Sequence, residues 1–210
     1  AAHALQQQLE HLRPEFIAFE GNAQGFRILT RLEMRRNDGG MRLSKATLGA
    51  FMKYPITART RAALRASGGN DYAGVKKFGV FDSELALFED VAKSLGLTEE
   101  RIGAEKWWRR HPLVFVVEAA DDICYNIVDI EDAFTTGELS YEKVVAILSE
   151  AAKPRTTDTG DRNQAEHVAM LRAMAIGNAI ESCVAAFKHH YEAIMAGTFS
   201  GALTEVCDVA

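Results

Sequence analysis

Apolar residues recur every three or four positions along most of the 210-residue chain, which is the spacing of one face of an α-helix. Turn-forming residues interrupt this pattern, most clearly at Asn37-Asp38-Gly39-Gly40, and Ser44 and Ser83 are predicted to cap helices. The predicted helices cover residues 2–12, 19–35, 44–53, 83–95, 112–134, 141–152 and 164–196. The stretch 54–79 is predicted to be irregular, and residues 78–81 are the one candidate for extended structure. The pattern therefore predicts a single all-α domain.

Composition narrows the class of protein. The chain is 48% hydrophobic and 25% charged, with a net charge of −5, which disfavours a general nucleic-acid coat or an anionic membrane as partner. Its three cysteines are odd in number and lack a CxxC spacing, so a disulfide framework is not expected and a reducing cytoplasm fits. Of these, Cys124 is predicted to be a small core residue. No uninterrupted apolar run reaches membrane-spanning length, and we expect no membrane partner.

The predicted helix 112–134 carries an acidic stripe. Asp121, Tyr125 and Asp129 are spaced four residues apart and so lie on one face. Eight acidic residues and no Lys or Arg occur between positions 113 and 142. Because the other positions are largely apolar, we expect the helix to be buried and the stripe to line an interior cleft. The compensating charge is either a bound cation or distant basic side chains; a plain solvated acidic face is the alternative.

A basic stretch lies between residues 53 and 77, where six Lys and Arg residues accompany a single acid, Asp71. Combined with an acidic metal-binding helix, it would suit a phosphorylated ligand; alternatively it is a solubilising loop. The tetrapeptide Trp107-Trp108-Arg109-Arg110 would suit single-stranded nucleic acid through stacking and charge, or it belongs to a core or an interface. The motifs GxxxxGK[ST], GxSxG and HExxH do not occur, and no histidine precedes an aspartate.

Several segments together resemble the bacterial deoxynucleoside triphosphate triphosphohydrolases, a family of the HD metal-dependent phosphohydrolase superfamily. The more specific ones are FEGNAQGFRILTRLE at 19–33 and EAADDICYNIVDIED at 118–132. Weaker matches lie at 48–55, 76–84, 171–177 and 197–199. The resemblance implies an all-α HD-domain fold over residues 1–210, with the family's His-Asp segment and C-terminal region missing.

The resemblance also implies roles for individual residues. Asp121 matches the last metal-ligand aspartate, which would bind Mg²⁺ or Mn²⁺. Tyr125 and Asp129 match residues that contact the deoxyribose. The positions that match residues lining the triphosphate pocket are Lys53, Tyr54, Lys77 and, less specifically, Asn22.

The activity implied is hydrolysis of a dNTP, such as dGTP, to a deoxynucleoside and tripolyphosphate. Partners implied are the dNTP substrate, a dNTP activator and further copies of the same chain. Because one ligand cannot hold a catalytic metal, we expect the 210-residue chain to be inactive and the complete protein to be active. Two alternatives stay open: a non-catalytic nucleotide-sensing or nucleic-acid-binding module with a degenerate HD site, and a helical assembly domain.

Overall fold

The computed structural model describes residues 18–34, 40–69, 71–154 and 162–207. The helices are α1 (Gly21–Arg27), α2 (Lys45–Phe51), α3 (Ala58–Ala66), α4 (Leu85–Ser94), α5 (Pro112–Thr135), α6 (Tyr141–Ala152), α7 (Gln164–His189), α8 (Tyr191–Met195) and α9 (Leu203–Val206). A π-helical turn, Ile28–Leu32, continues α1, and 3-10 turns cover Ala73–Val75 and Asp82–Glu84. Strands β1 (Glu99–Ile102) and β2 (Glu105–Trp108) form an antiparallel hairpin. The predicted all-α class is confirmed, with this hairpin as its small exception.

The chain forms two compact units. The first comprises residues 1–114 and 193–200, and the second comprises 115–192 and 201–210. The boundary at residue 114 falls inside α5. Predicted helix 2–12 and the turn at 37–39 lie outside the described residues.

Aromatic packing organises the first unit. Phe88 of α4 meets Phe26 of α1 edge to face at 5.8 Å between ring centroids, and it meets Trp108 of β2 at 5.4 Å. All three rings are buried, and such pairs add to the stabilisation from buried area. The carboxylate of Glu84, also buried, is neutralised by Arg27 at 2.9 Å. The start of α4 is therefore tied to α1 by both apolar and ionic contacts.

Three predictions for the first unit are wrong. The stretch 54–79 contains α3, whose first turn is capped by the Thr57 hydroxyl accepting from the Thr60 amide at 3.2 Å. The hairpin at 99–108 went unrecognised, whereas the candidate extended piece 78–81 makes only an isolated parallel bridge between Thr57 and Val80. Ser83 lies within a 3-10 turn and does not cap α4.

The second unit contains a tightly paired α6 and α7. Val144 and Leu148 of α6 pack against Val168 and Leu171 of α7. The buried His167 ring pairs through Nδ1 with the Tyr141 hydroxyl at 2.6 Å, which satisfies its polar atom inside the core. The bounds of α5 and α6 agree with the predicted helices within one residue. The predicted helix 164–196 is divided, because α7 ends at His189 and α8 follows.

Helix α7 is long and apolar enough to cross a membrane when judged by length and composition alone. Such a criterion is weak, because the core helix of a soluble protein also meets it. Arg172, Asn178 and Glu181 lie within this helix, so its sequence is not an unbroken apolar run.

We expect the stability of the start of α5 to depend on pH through His111. Its Nδ1 accepts a hydrogen bond from the Leu113 amide at 3.2 Å, and burial lowers the pKa of His111 from its ordinary value of 6.5. Below pH 6.5 the unfolded chain therefore binds a proton that the folded chain resists. We expect the free energy of unfolding to fall as the pH drops through that value.

The test is His111→Asn, because asparagine keeps a side-chain acceptor at the helix cap but does not titrate in this range. Urea unfolding at pH 7 and pH 5 should show a smaller loss of stability in His111→Asn than in wild type. His189→Asn, which replaces an exposed histidine, serves as the control and should keep the wild-type dependence. An equal pH dependence in His111→Asn and wild type would contradict this assignment.

Candidate functional site

The acidic stripe of α5 is exposed, which corrects the expectation of an interior cleft. Asp121 and Asp129 are exposed, and the Tyr125 side chain between them is 71% exposed. The opposite face of α5 packs on the α6–α7 core through Ile123, Ile127, Ile130 and Phe134. At about 100° of rotation per residue, these two sets of positions lie on opposite sides of the helix. The α6–α7 core therefore covers one face of α5, and the acidic stripe lies on the exposed face.

Neighbouring aspartates on α5 have different surroundings. Asp122 accepts a hydrogen bond from the Thr204 hydroxyl of α9 at 3.0 Å. Asp121 is turned about 100° away from it, and no described residue pairs with its carboxylate. Within the described ranges, no group of three or more His, Cys, Asp and Glu side chains is arranged to hold a metal ion. Asp121 therefore offers one oxygen ligand and not a complete site.

In the first unit, Glu20 brings two of the predicted residues together. Its Oε1 accepts from Asn22 Nδ2 at 2.8 Å and lies 4.0 Å from Lys77 Nζ. Arg61 of α3 also interacts electrostatically with Glu20. Asn22 and Lys77 thus approach one half-buried carboxylate, and the charge of Arg61 adds to the attraction. Sequence reasoning did not single out Glu20, because a lone acid in the segment 19–33 carries no local signal of its long-range partners.

Arg61 fixes the backbone at the end of the basic stretch. Its Nε and Nη2 both donate to the Lys76 carbonyl oxygen, at 2.9 and 2.6 Å. Burial and the nearby Arg65 lower the pKa of Arg61, and Glu20 opposes them. A guanidinium with like charge beside it favours an anionic neighbour. In the sequence, Arg61 is only one of the six Lys and Arg residues between positions 53 and 77.

Lys53 and Tyr54 lie beside the segment that carries Lys77. The Gly79 amide donates to the Ile56 carbonyl at 3.1 Å, and a Cβ added at Gly79 would lie 2.5 Å from the Tyr54 carbonyl oxygen. The Lys53 carbonyl accepts from Arg110 Nε at 2.9 Å, which fixes this turn. The Tyr54 ring is buried, with Lys53 Nζ at 6.0 Å from its centroid.

The predicted site residues accordingly form two sets. Asn22, Lys53, Tyr54 and Lys77 belong to the first unit. Asp121, Tyr125 and Asp129 belong to the second. The first set is basic and suits phosphate oxygens; the second is acidic and suits a cation and hydroxyl groups.

The tryptophan pair does not form an exposed stacking surface. Trp107 and Trp108 are both buried, each in a different hydrophobic cluster. The core interpretation of this tetrapeptide is thereby confirmed. Because both rings are buried, the tryptophan pair no longer supports single-stranded nucleic acid as a partner.

Comparison with known proteins identifies relatives over nearly the whole chain. A deoxyguanosinetriphosphate triphosphohydrolase-like protein of Pseudomonas aeruginosa is 42% identical over 200 residues, which cover 92% of this chain. A protein of the same name from Synechocystis sp. is 41% identical over 198 residues, again 92% of the chain. The chain is a homologue of the deoxyguanosinetriphosphate triphosphohydrolase-like proteins. A third such protein, from Listeria monocytogenes, is 27% identical over 208 residues.

This sequence similarity confirms the family resemblance that the sequence motifs indicate. The matched region makes up 42% of the Pseudomonas protein and 43% of the Synechocystis protein. The chain therefore spans less than half the length of these deoxyguanosinetriphosphate triphosphohydrolase-like relatives. No family model matches the chain.

Proposed function

We propose that the complete protein hydrolyses a deoxynucleoside triphosphate, such as dGTP, to the deoxynucleoside and tripolyphosphate, as a phosphohydrolase of the HD superfamily. The observation that carries this proposal is the 42% identity over 92% of the chain to a protein named deoxyguanosinetriphosphate triphosphohydrolase-like. The two sets of side chains support it, because one suits phosphates and the other suits a metal and a sugar.

The basic set would bind the triphosphate. Lys53, Lys77 and Arg61 offer donors to phosphate oxygens, and charge-assisted hydrogen bonds of this kind are stronger than neutral ones. Glu20 holds Lys77 and Asn22 within reach of each other before substrate binds. Such preorganisation lowers the entropy lost when the side chains grip the ligand.

The acidic set would bind the metal and the deoxyribose. Asp121 is a hard oxygen donor of the kind that Mg²⁺ and Mn²⁺ prefer, and we propose that the remaining ligands come from outside the described residues. A bound divalent cation would polarise the phosphate under attack. One turn on, Tyr125 would pack against C2′ and exclude a 2′-hydroxyl. Asp129, a further turn on, would accept from the 3′-hydroxyl.

Product analysis tests the activity. The complete protein is incubated with dGTP and either Mg²⁺ or Mn²⁺, and the products are separated by ion-exchange chromatography. We expect tripolyphosphate and deoxyguanosine in equal amounts. Release of pyrophosphate and dGMP would contradict the reaction, and nucleotide binding without hydrolysis would favour a nucleotide-sensing module.

Replacing Tyr125 tests the sugar contact. Since its side chain is 71% exposed, Tyr125→Ala should leave the fold intact, while activity on dGTP falls and the preference for dGTP over GTP narrows by about tenfold or more. The measurement is kcat/KM for both nucleotides. Asn126→Ala, an exposed change one residue along α5, is the matched control and should keep the preference. Full discrimination in Tyr125→Ala would place the sugar contact elsewhere.

A further inference from the structure

Helix α7 has a largely apolar face that no described residue covers. One side of the helix is buried in the core with α6, and the residues on the opposite side are all exposed: Ala173, Gly177, Ile180, Glu181, Val184 and Lys188. At about 100° of rotation per residue, they span about 100° of the helix surface. The exposed fractions of Ile180 and Val184 are 50% and 47%. A helix that is apolar on both sides is expected to have a second packing partner.

This face borders an apolar groove between α5 and α7. The groove has a volume of about 300 Å³, and most of its lining side chains are apolar, among them Val116 and Ala120 of α5, Ile180 and Val184 of α7, and Leu203 of α9. Four of these five residues are exposed, so the groove is open to solvent. An open groove suits the apolar face of a helix better than a small molecule, which needs enclosure on most sides.

Two exposed charges on the same face indicate which helix would fit. Glu181 and Lys188 are seven residues apart, which is two helical turns and about 10 Å along the axis. Among the described residues, neither side chain has an ionic partner. Val184 lies close to the midpoint between them. A second copy of α7 laid antiparallel across this point therefore places its lysine opposite Glu181 and its glutamate opposite Lys188.

We propose that the complete protein self-associates through this face, with α7 of one copy packed antiparallel on α7 of a second copy. Such a contact has twofold symmetry, so each favourable pair occurs twice and the surface is complementary to itself. It covers Ile180 and Val184, and the two Glu181–Lys188 pairs fix the register along α7. The same charges disfavour a bilayer as the occupant, because a charged side chain is costly in hydrocarbon. The contact does not depend on the proposed hydrolysis of a dNTP.

Charge reversal tests the contact. The complete protein and its variants are compared by sedimentation equilibrium, which gives the molar mass and the dissociation constant of the assembly. In Glu181→Lys both ion pairs become repulsions between two lysines, so we expect the dissociation constant to rise at least about tenfold. Lys188→Glu should do the same. Glu181→Lys/Lys188→Glu restores both pairs with exchanged signs, so its dissociation constant should return to within about threefold of the wild-type value.

Glu150→Lys is the matched control for the charge change. It makes the same reversal at an exposed position of α6, away from the proposed contact, and should keep the wild-type dissociation constant. Far-ultraviolet circular dichroism of every variant should match that of the wild type, because substitutions of exposed residues change the stability of the fold little. A changed mass in the reversal variants is then a property of the contact and not of unfolding.

Cross-linking provides a second measurement. Cys124, which the sequence predicts to be a core residue, is exposed on α5, so it is first replaced by serine. Val184→Cys in this Cys124→Ser background should form a disulfide between two copies when oxidised with diamide, since the facing backbones of two packed helices come within reach of that bond. Cys124→Ser alone should form none.

Several outcomes would overturn self-association through α7. A dissociation constant that stays at the wild-type value in both single reversals means that another part of the chain, a lipid or a different protein covers this face. A complete protein that is monomeric at every concentration measured leads to the same conclusion. Weakened association in both single reversals without recovery in Glu181→Lys/Lys188→Glu would contradict the antiparallel register, as would a Val184→Cys protein that forms no link between copies.

Discussion

Replacing Asp121 by alanine in the complete protein is expected to abolish triphosphate hydrolysis and lower the bound metal, whereas Asp122→Ala should retain both. The two carboxylates are adjacent in sequence but about 100° apart around α5. Asp121 is exposed on the stripe, while Asp122 is held by the Thr204 hydroxyl at 3.0 Å. Removing a ligand weakens the metal site directly. Removing the neighbour affects only a structural hydrogen bond.

The effects on stability should be reversed: Asp122→Ala should be less stable than Asp121→Ala. Asp121→Ala removes an exposed side chain, and such changes fall within about 0.5 kcal/mol of wild type. Asp122→Ala removes a hydrogen bond, which should lower the free energy of unfolding by about 0.5–1.5 kcal/mol. Metal content, kcat/KM and urea midpoints of both variants are compared. Equal metal loss in both variants, or none in Asp121→Ala, would contradict the assignment.

The helices with strong local signals were predictable from the sequence. Pro112 at the first position of α5 and Ser140 before α6 mark the starts of long periodic stretches. The observed bounds of both helices match the predicted ones within one residue. The end of α7 at His189 was not predictable in this way, because the apolar period continues into α8. Periodicity indicates that a face is apolar, but not where the backbone bends.

The missed elements have a common physical cause. Helix α3 follows a proline and carries three arginines, so its composition resembles a solvated loop; the Thr57 cap and the burial of Leu64 stabilise it. The strands β1 and β2 contain charged residues at most positions. Their pairing depends on burial of Trp107 and Trp108 against distant residues, and such tertiary context overrides local propensity.

The candidate site could be predicted only in part from the sequence, again because tertiary contacts decide the rest. Spacing alone placed Asp121, Tyr125 and Asp129 on one face, but apolar content wrongly suggested that this face is buried. Apolar positions exceeded those needed for the α6–α7 core, and several, such as Val116 and Val117, remain exposed. Glu20 meets Lys77 from a distant part of the chain, and Arg61 meets the Lys76 carbonyl oxygen in the same way; no local pattern encodes either contact.

Charge removal at Lys77 should reduce substrate use strongly without unfolding the protein. Its side chain is 56% exposed, and its pairing with Glu20 at 4.0 Å is a surface contact, worth less than about 1 kcal/mol to stability. A charge-assisted hydrogen bond to a phosphate contributes more, about 1.5–3 kcal/mol. We therefore expect kcat/KM for dGTP to fall about 10- to 100-fold in Lys77→Ala, with an unchanged melting temperature.

Lys76 provides the matched control for this prediction. It is exposed and adjacent to Lys77, and the bond that Arg61 makes at this position uses the Lys76 carbonyl, which survives substitution. Lys76→Ala removes the same charge from the same loop, so it reports any loss due to long-range attraction alone, and that loss should vanish at high salt. Lys53→Gln should behave like Lys77→Ala, since both segments run side by side. If Lys76→Ala and Lys77→Ala lose activity equally, the loop acts through its overall charge and the specific contact to the triphosphate is wrong.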